Sequence, residues 1–177
     1  MLGEGPSRQR IIFDSEAEPL TDYLARQKET GLVSAYSIDA EKPLISCTLI
    51  QPHTALSFHL DVDCTDYRQL PPMFRFSVTP GALTSLPHDY PKQTSNPFGG
   101  GNLFILCGPN NSLGCVCSHF NRLAYNTHNG PHQDWGGPDN WLNAASTGGW
   151  VRATNLPEMF SAIISRFKLT KGRLSEP

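Results

Sequence analysis

The sequence predicts a single α+β domain, and three observations carry that prediction. Apolar residues near the start and near the end recur at helical spacing, four stretches between them have strand character, and turn-forming clusters separate every pair. There is no internal repeat and no linker, and 177 residues suit one core.

The first helix is expected over 16–30. Ser15 reads as its N-cap, Glu16 and Glu18 suit its first turn, Pro19 is tolerable near a start, and Gly31 ends it. Leu20, Tyr23, Leu24 and Gln27 would face the core. Residues 1–14 read as a flexible arm in which "RIIF" docks as a small strand. Strands follow at "GLVSAYSID" and "LISCTLI". In "ALSFHLDVD", Phe58, Leu60 and Val62 alternate with His59, Asp61 and Asp63, so one face is core and the other wet. Pro71-Pro72 cannot sit in a ladder, and a fourth strand resumes over Met73–Val78. The short turns between strands predict an antiparallel meander.

Beyond it, residues 79–101 read as a long ordered loop and "NLFILC" as a short buried strand. Residues 108–138 lack periodicity, which in a compact domain marks a functional loop. "PDNWLNAAS" reads as a short helix capped by Asp139. "LPEMFSAIISRFKL" reads as a full one, capped by Asn155, with Pro157 in its first turn and Phe160, Ile163, Ile164 and Phe167 as its stripe. The domain is expected over 15–170, with 171–177 a C-terminal tail.

Composition narrows the function. Charged residues make up 17% and the formal net charge is −2, with no basic stripe, which argues against nucleic acid and anionic membrane as partners. No apolar run approaches the ~20 residues of a bilayer span, and the first ten residues lack the apolar core of a signal peptide. Five cysteines form no disulfide framework, so free thiols in a reducing cytoplasm are expected. Gly99–Gly101 lacks the Lys-Ser/Thr of a phosphate loop, and no cofactor is expected. The three tryptophans read as packing anchors.

The chemistry-bearing stretch is "CGPNNSLGCVCSH", residues 107–119. Its surroundings, helix then meander then "DYRQLPPMFRF" (66–76) then Gly108-Pro109-Asn110 then Gly114-Cys115-Val116-Cys117, resemble the ubiquitin-conjugating enzyme family. There, a tyrosine and a proline pair precede the fourth strand, and a His-Pro-Asn turn leads to Gly-x-x-Cys with a catalytic cysteine. The chain departs from that pattern: glycine replaces the histidine, and Asn110 to Cys117 is one residue shorter than usual. The histidine-rich stretch after the cysteine is more like the bacterial relatives found in antiphage and ubiquitin-like operons. The resemblance implies a ubiquitin-conjugating-like fold and an enzyme that takes a ubiquitin-like modifier from an activating enzyme as a cysteine thioester, then passes it to an amine of a target protein. It makes Cys117 the nucleophile.

Asn110, or Asn111 beside it, would donate to the developing oxyanion, although Pro-Asn-Asn is also simply a good turn. His119, His128, His132 and Asp134 would orient or deprotonate the acceptor amine, and the histidines are expected to act on the second transfer and not the first. Cys115 is the competing nucleophile, and only one of the two thiols is expected to face the cleft. Three other readings use the same residues. A cysteine here can be an inert buried thiol, and the chain can be an inactive conjugating-like binding module. Cys115, Cys117, His119, His128 and His132 can also supply zinc ligands, but C-x-C-x-H is tighter than the C-x₂₋₄-C of structural sites, so no metal is expected.

Overall fold

A computed structural model of the chain describes residues 8–81, 85–95, 101–128, 130–132, 135, 137–143 and 153–174. The architecture is α+β: a helix, a four-stranded antiparallel sheet, a hairpin and a second helix.

Helix α1 spans Arg8–Glu29, so the expected arm is corrected over 8–14, residues 1–7 lying outside the described residues: "RIIF" is helical and no docking strand, and Pro19 lies in the interior of the helix. The reason is a core stripe longer than its obvious part. Phe13 sits seven residues before Leu20 and eleven before Leu24, which is one helical face, and all three are buried. An Arg10–Asp14 pair at 2.9 Å supports the added turns from outside. Ser15 is therefore no N-cap; its hydroxyl donates to the Ile12 carbonyl at 2.8 Å. Glu16 serves a different helix. Its Oε2 accepts from the Tyr67 hydroxyl and from the Leu156 N–H, both at 2.8 Å.

Strands β1 (Val33–Asp39), β2 (Leu44–Ile50), β3 (Ser57–Asp63) and β4 (Met73–Ser77) form the expected meander in sequence order. Registers Ile45↔Val62, Cys47↔Leu60, Leu60↔Phe76 and Val62↔Phe74 put every apolar alternate on one face. Helix α2 (Leu156–Phe167) lays the predicted Phe160, Ile163, Ile164 and Phe167 on that face, with Phe74–Phe160 and Phe58–Phe167 rings at 5.8 and 5.5 Å. Asn155 caps α2 by accepting from the Glu158 N–H at 2.9 Å. The opposite face carries His59 and Asp61, which bond Thr48 at 2.9 Å and Ser46 at 2.6 Å.

The ends of the domain differ from expectation. Residues 170–173 straddle the expected tail boundary and form a strand, β8 (Thr170–Arg173), antiparallel to β5 (Pro91–Gln93) inside the supposed long loop. Both are too short for a period to show. A buried side chain ties them to the meander: the Gln51 amide donates to Thr170 Oγ1 and accepts from the Gly172 N–H, each at 2.8 Å. The expected helix at "PDNWLNAAS" is, among the described residues, only a 3₁₀ turn over Pro138–Asn140, with Gly137 and not Asp139 at its N-cap. No helix among the described residues is long and apolar enough to cross a membrane.

Candidate functional site

The motif stretch folds as a hairpin. Strand β6 (Phe104–Cys107) pairs antiparallel with β7 (Leu113–Val116), and the Gly-Pro-Asn-Asn segment is its tip. Gly114 is required where it stands, because a Cβ there would lie 2.1 Å from the Tyr90 ring. Pairing runs on past β7, with the Cys117 N–H donating to the Leu103 carbonyl at 2.7 Å. Side chains two apart in an extended segment share a face. Cys115 and Cys117 therefore point the same way, correcting the expectation that only one faces the cleft. Cys107 shares their face from across the hairpin, since Cys107↔Leu113 and Ile105↔Cys115 are the cross-strand pairs.

The segment after Cys117 is shaped by three side chains. Asn121 donates to the Val116 carbonyl at 2.7 Å and accepts from the Phe74 N–H at 3.0 Å, joining the end of β7 to the start of β4. Arg122 donates from Nε to the Pro71 carbonyl at 3.0 Å, which is how the proline-pair turn and the thiol segment are held together. The Tyr125 hydroxyl donates to the His119 carbonyl at 2.8 Å. The chain then doubles back over itself. Gly130 lies so close to Ala124 that a Cβ would be 2.2 Å from its carbonyl carbon. The His132 N–H donates to the Ala124 carbonyl at 3.2 Å. This return brings His132 Nε2 to 2.8 Å from Cys117 Sγ. Trp135 stacks flat on the His132 ring, 3.5 Å between centroids and 5° between planes, fixing its orientation.

Burial sets the protonation. Cys117 is 5% exposed, and removal from water pushes its thiol up to about 12, with the charge of Cys107 adding to the push. At neutral pH Cys117 is thus a neutral thiol, and ionisation of the sulfur has to pass its proton on. Cys107 is the opposite case: hydrogen bonding from Cys115 holds it below its ordinary range, while Cys115 is raised by that same bond and by burial.

The other expected site residues lie elsewhere. Asn110 and Asn111 occupy the exposed tip in left-handed conformation (both φ 55°). At about 3.3 Å per residue, Cys117 is roughly 13 Å down the strand from that tip, so the hairpin places the Asn110 and Asn111 amides away from its sulfur in this structure. His119 is buried with its ring edge-on to Phe120 at 5.6 Å. His128 is exposed, in hydrogen-bond contact with Thr127 Oγ1 at 3.0 Å, and burial followed by the charges of Arg122 and Arg75 lowers its pKa. Among the described residues, His132 alone of the three histidines meets the sulfur. Asp134 lies outside the described residues.

Cys117 and His132 stand at hydrogen-bond separation, closer than the roughly 3.5 Å between sulfur and nitrogen ligands of one tetrahedral zinc. Among the described residues no group of three or more His, Cys, Asp or Glu is placed to hold a metal ion.

Sequence reasoning missed Cys107 as a member of the thiol face, Trp135 as the brace of His132, and Gly130 as the reason the histidine arrives. The period-two rule alone puts Cys115 and Cys117 together. Gly130 and Trp135 carry no such local signal, because their roles depend on how the loop closes. Comparison with known proteins gives no match to a family model, to a curated protein or to a solved structure.

Proposed function

We propose that the chain is a ubiquitin-conjugating-like acyl carrier with a ubiquitin-conjugating-like fold, in which Cys117 holds the C-terminal acyl group of a ubiquitin-like modifier as a thioester. The observation that carries this reading is the Cys117–His132 contact at 2.8 Å. It is a nucleophile and a base in hydrogen-bond reach, with the base oriented by a third group, Trp135. The order of elements around it, helix, meander, proline-pair turn and thiol segment, is the order the family resemblance calls for.

In the first transfer Cys117 Sγ attacks the thioester carbonyl presented by an activating enzyme, and His132 Nε2 takes the thiol proton as the new C–S bond forms. The activating enzyme's sulfur leaves with the electrons of the old C–S bond and takes up that proton, which returns His132 to its neutral form. In the second, a target amine attacks the Cys117 thioester, His132 accepts the amine proton, and the Cys117 sulfur leaves and is reprotonated. Because burial keeps the thiol protonated, His132 serves both transfers, which changes the expectation that the histidines act only on the second. The setting is a reducing cytoplasm, with the modifier, the activating enzyme and a target protein as partners. Incubation with an activating enzyme, a ubiquitin-like modifier and ATP gives a thiol-sensitive adduct that Cys117→Ala abolishes. An adduct that survives Cys117→Ala and is lost in Cys115→Ala or Cys107→Ala assigns the wrong sulfur.

The depth of Cys117 favours a second reading, a conjugating-like module that binds a modifier without carrying it. Absence of any adduct, together with a Cys117 that resists iodoacetamide in the folded protein, supports that module instead.

A further inference from the structure

The thiol face of the hairpin holds more sulfur than an acyl carrier needs. Cys107 is the last residue of β6 and Cys115 lies diagonally across from it on β7. Together with Ala124 they form a small packed cluster of their own, bordered by Ile105, Leu113 and Trp135 and separate from the main core. Diagonal neighbours in an ideal ladder stand about 7–8 Å apart, just past the usual disulfide span, so closing the bond calls for a small shift of the two hairpin strands.

The two thiols are unequal in access. Cys107 lines an open groove of about 370 Å³ with Leu106, Gly108, Pro109, Asn126 and Pro131. Cys115 is 1% exposed behind it. Hydrogen bonding from Cys115 also favours the thiolate at Cys107 and keeps the proton on Cys115, the arrangement of an attacking thiol and its resolving partner.

We propose that Cys107 and Cys115 form a reversible dithiol–disulfide couple that reacts with small hydroperoxides entering by the groove. The Cys107 thiolate attacks the outer peroxide oxygen, the O–O bond breaks, and the departing oxygen leaves as hydroxide or alkoxide and is protonated. Cys107 becomes the sulfenic acid. Cys115 sulfur then attacks the Cys107 sulfur, the S–O bond breaks, and water leaves with the Cys115 proton. The couple has lost two electrons and the peroxide has gained them. A dithiol reductant reverses the change. The chemistry is independent of the acyl-carrier reading, because neither sulfur is the proposed thioester site.

The test treats the reduced full-length protein with one equivalent of hydrogen peroxide, blocks remaining thiols with N-ethylmaleimide, and maps cross-links by mass spectrometry. The expected product joins the Cys107 and Cys115 peptides within one chain, lowers free thiols from five to three, and reverts with dithiothreitol. In Cys115→Ser, Cys107 accumulates as a dimedone-trapped sulfenic acid. In Cys107→Ser, peroxide consumption falls at least tenfold. The wild-type map decides the matter even if a variant fails to fold. First oxidation at Cys117, a cross-link between chains, or oxidation spread evenly over the cysteines overturns the proposal.

Discussion

The meander with its two helices and the hairpin with its return loop are built on different physics. In the first, position is set by area: Phe58, Phe74, Phe76, Phe160 and Phe167 are fully buried and interlock, edge to face except where Phe76 stacks on Phe167. In the second, position is set by a few polar side chains and one close approach. Asn121, Arg122 and Tyr125 each hold a backbone group of a neighbouring segment, and Gly130 lets the chain lie on Ala124. The comparison teaches that the scaffold can tolerate chemistry-bearing residues at Cys117 and His132 because their placement does not depend on filling the core.

The largest effect breaks the first region. Phe74→Ala removes a ring packed on both Phe120 and Phe160 and is expected to cost about 3–5 kcal/mol, read by urea denaturation. A loss under 1 kcal/mol would show that the ring carries little of the core. The surviving folded fraction is expected to keep an unchanged rate of Cys117 alkylation.

That division also explains what the sequence made legible. Alternation in "ALSFHLDVD" and the stripe of α2 are repeated signals in which each residue confirms its neighbours, so strands β1 to β4 and helix α2 were readable. Phe13 was readable in principle, seven residues before Leu20, but three apolar residues in a row at 11–13 hid the period. Strands β5 and β8 have no period to read. At the site, Cys117 and His132 were both singled out by residue type. Which histidine would meet the sulfur was set by the Gly130 return, a contact between backbone atoms that no side-chain pattern encodes.

The next two effects break the second region. Asn121→Ala strands the buried Phe74 N–H and Val116 carbonyl without their partner, at an expected cost of about 3 kcal/mol. Unlike Phe74→Ala, it also changes Cys117 alkylation, because it frees the end of β7. Unchanged reactivity would break the contrast between the regions. Gly130→Ala is expected to cost less, about 1–2 kcal/mol from local overpacking, while shifting His132 off the sulfur. Its signature is a Cys117 alkylation rate altered severalfold with a melting temperature lowered by only a few degrees.

The last effect is an alkaline one that both regions share. Cys47 and Cys64 beneath the sheet and Cys115 and Cys117 on the hairpin all have pKa values raised in the fold, burial being the leading cause except at Cys115, where the bond to Cys107 leads. The unfolded chain loses these protons at about pH 8.5, whereas Cys117 holds its own up to about 12. Between those values the folded state binds more protons, so this contribution is fully present below about pH 8.5 and is lost as pH rises toward 12. Denaturation midpoints measured from pH 8 to 11 should fall, and fall less in Cys117→Ala. A midpoint independent of pH over that range would contradict the burial of these thiols.

The central claim is that His132 takes the proton from Cys117, and single-turnover rates of wild type and His132→Gln test it most directly. With modifier-loaded activating enzyme as donor and free lysine as acceptor, both charging and discharge should slow roughly ten- to a hundredfold in His132→Gln, with His128→Gln unchanged in each. Charging at the wild-type rate in His132→Gln would contradict the claim and reduce the 2.8 Å contact to packing.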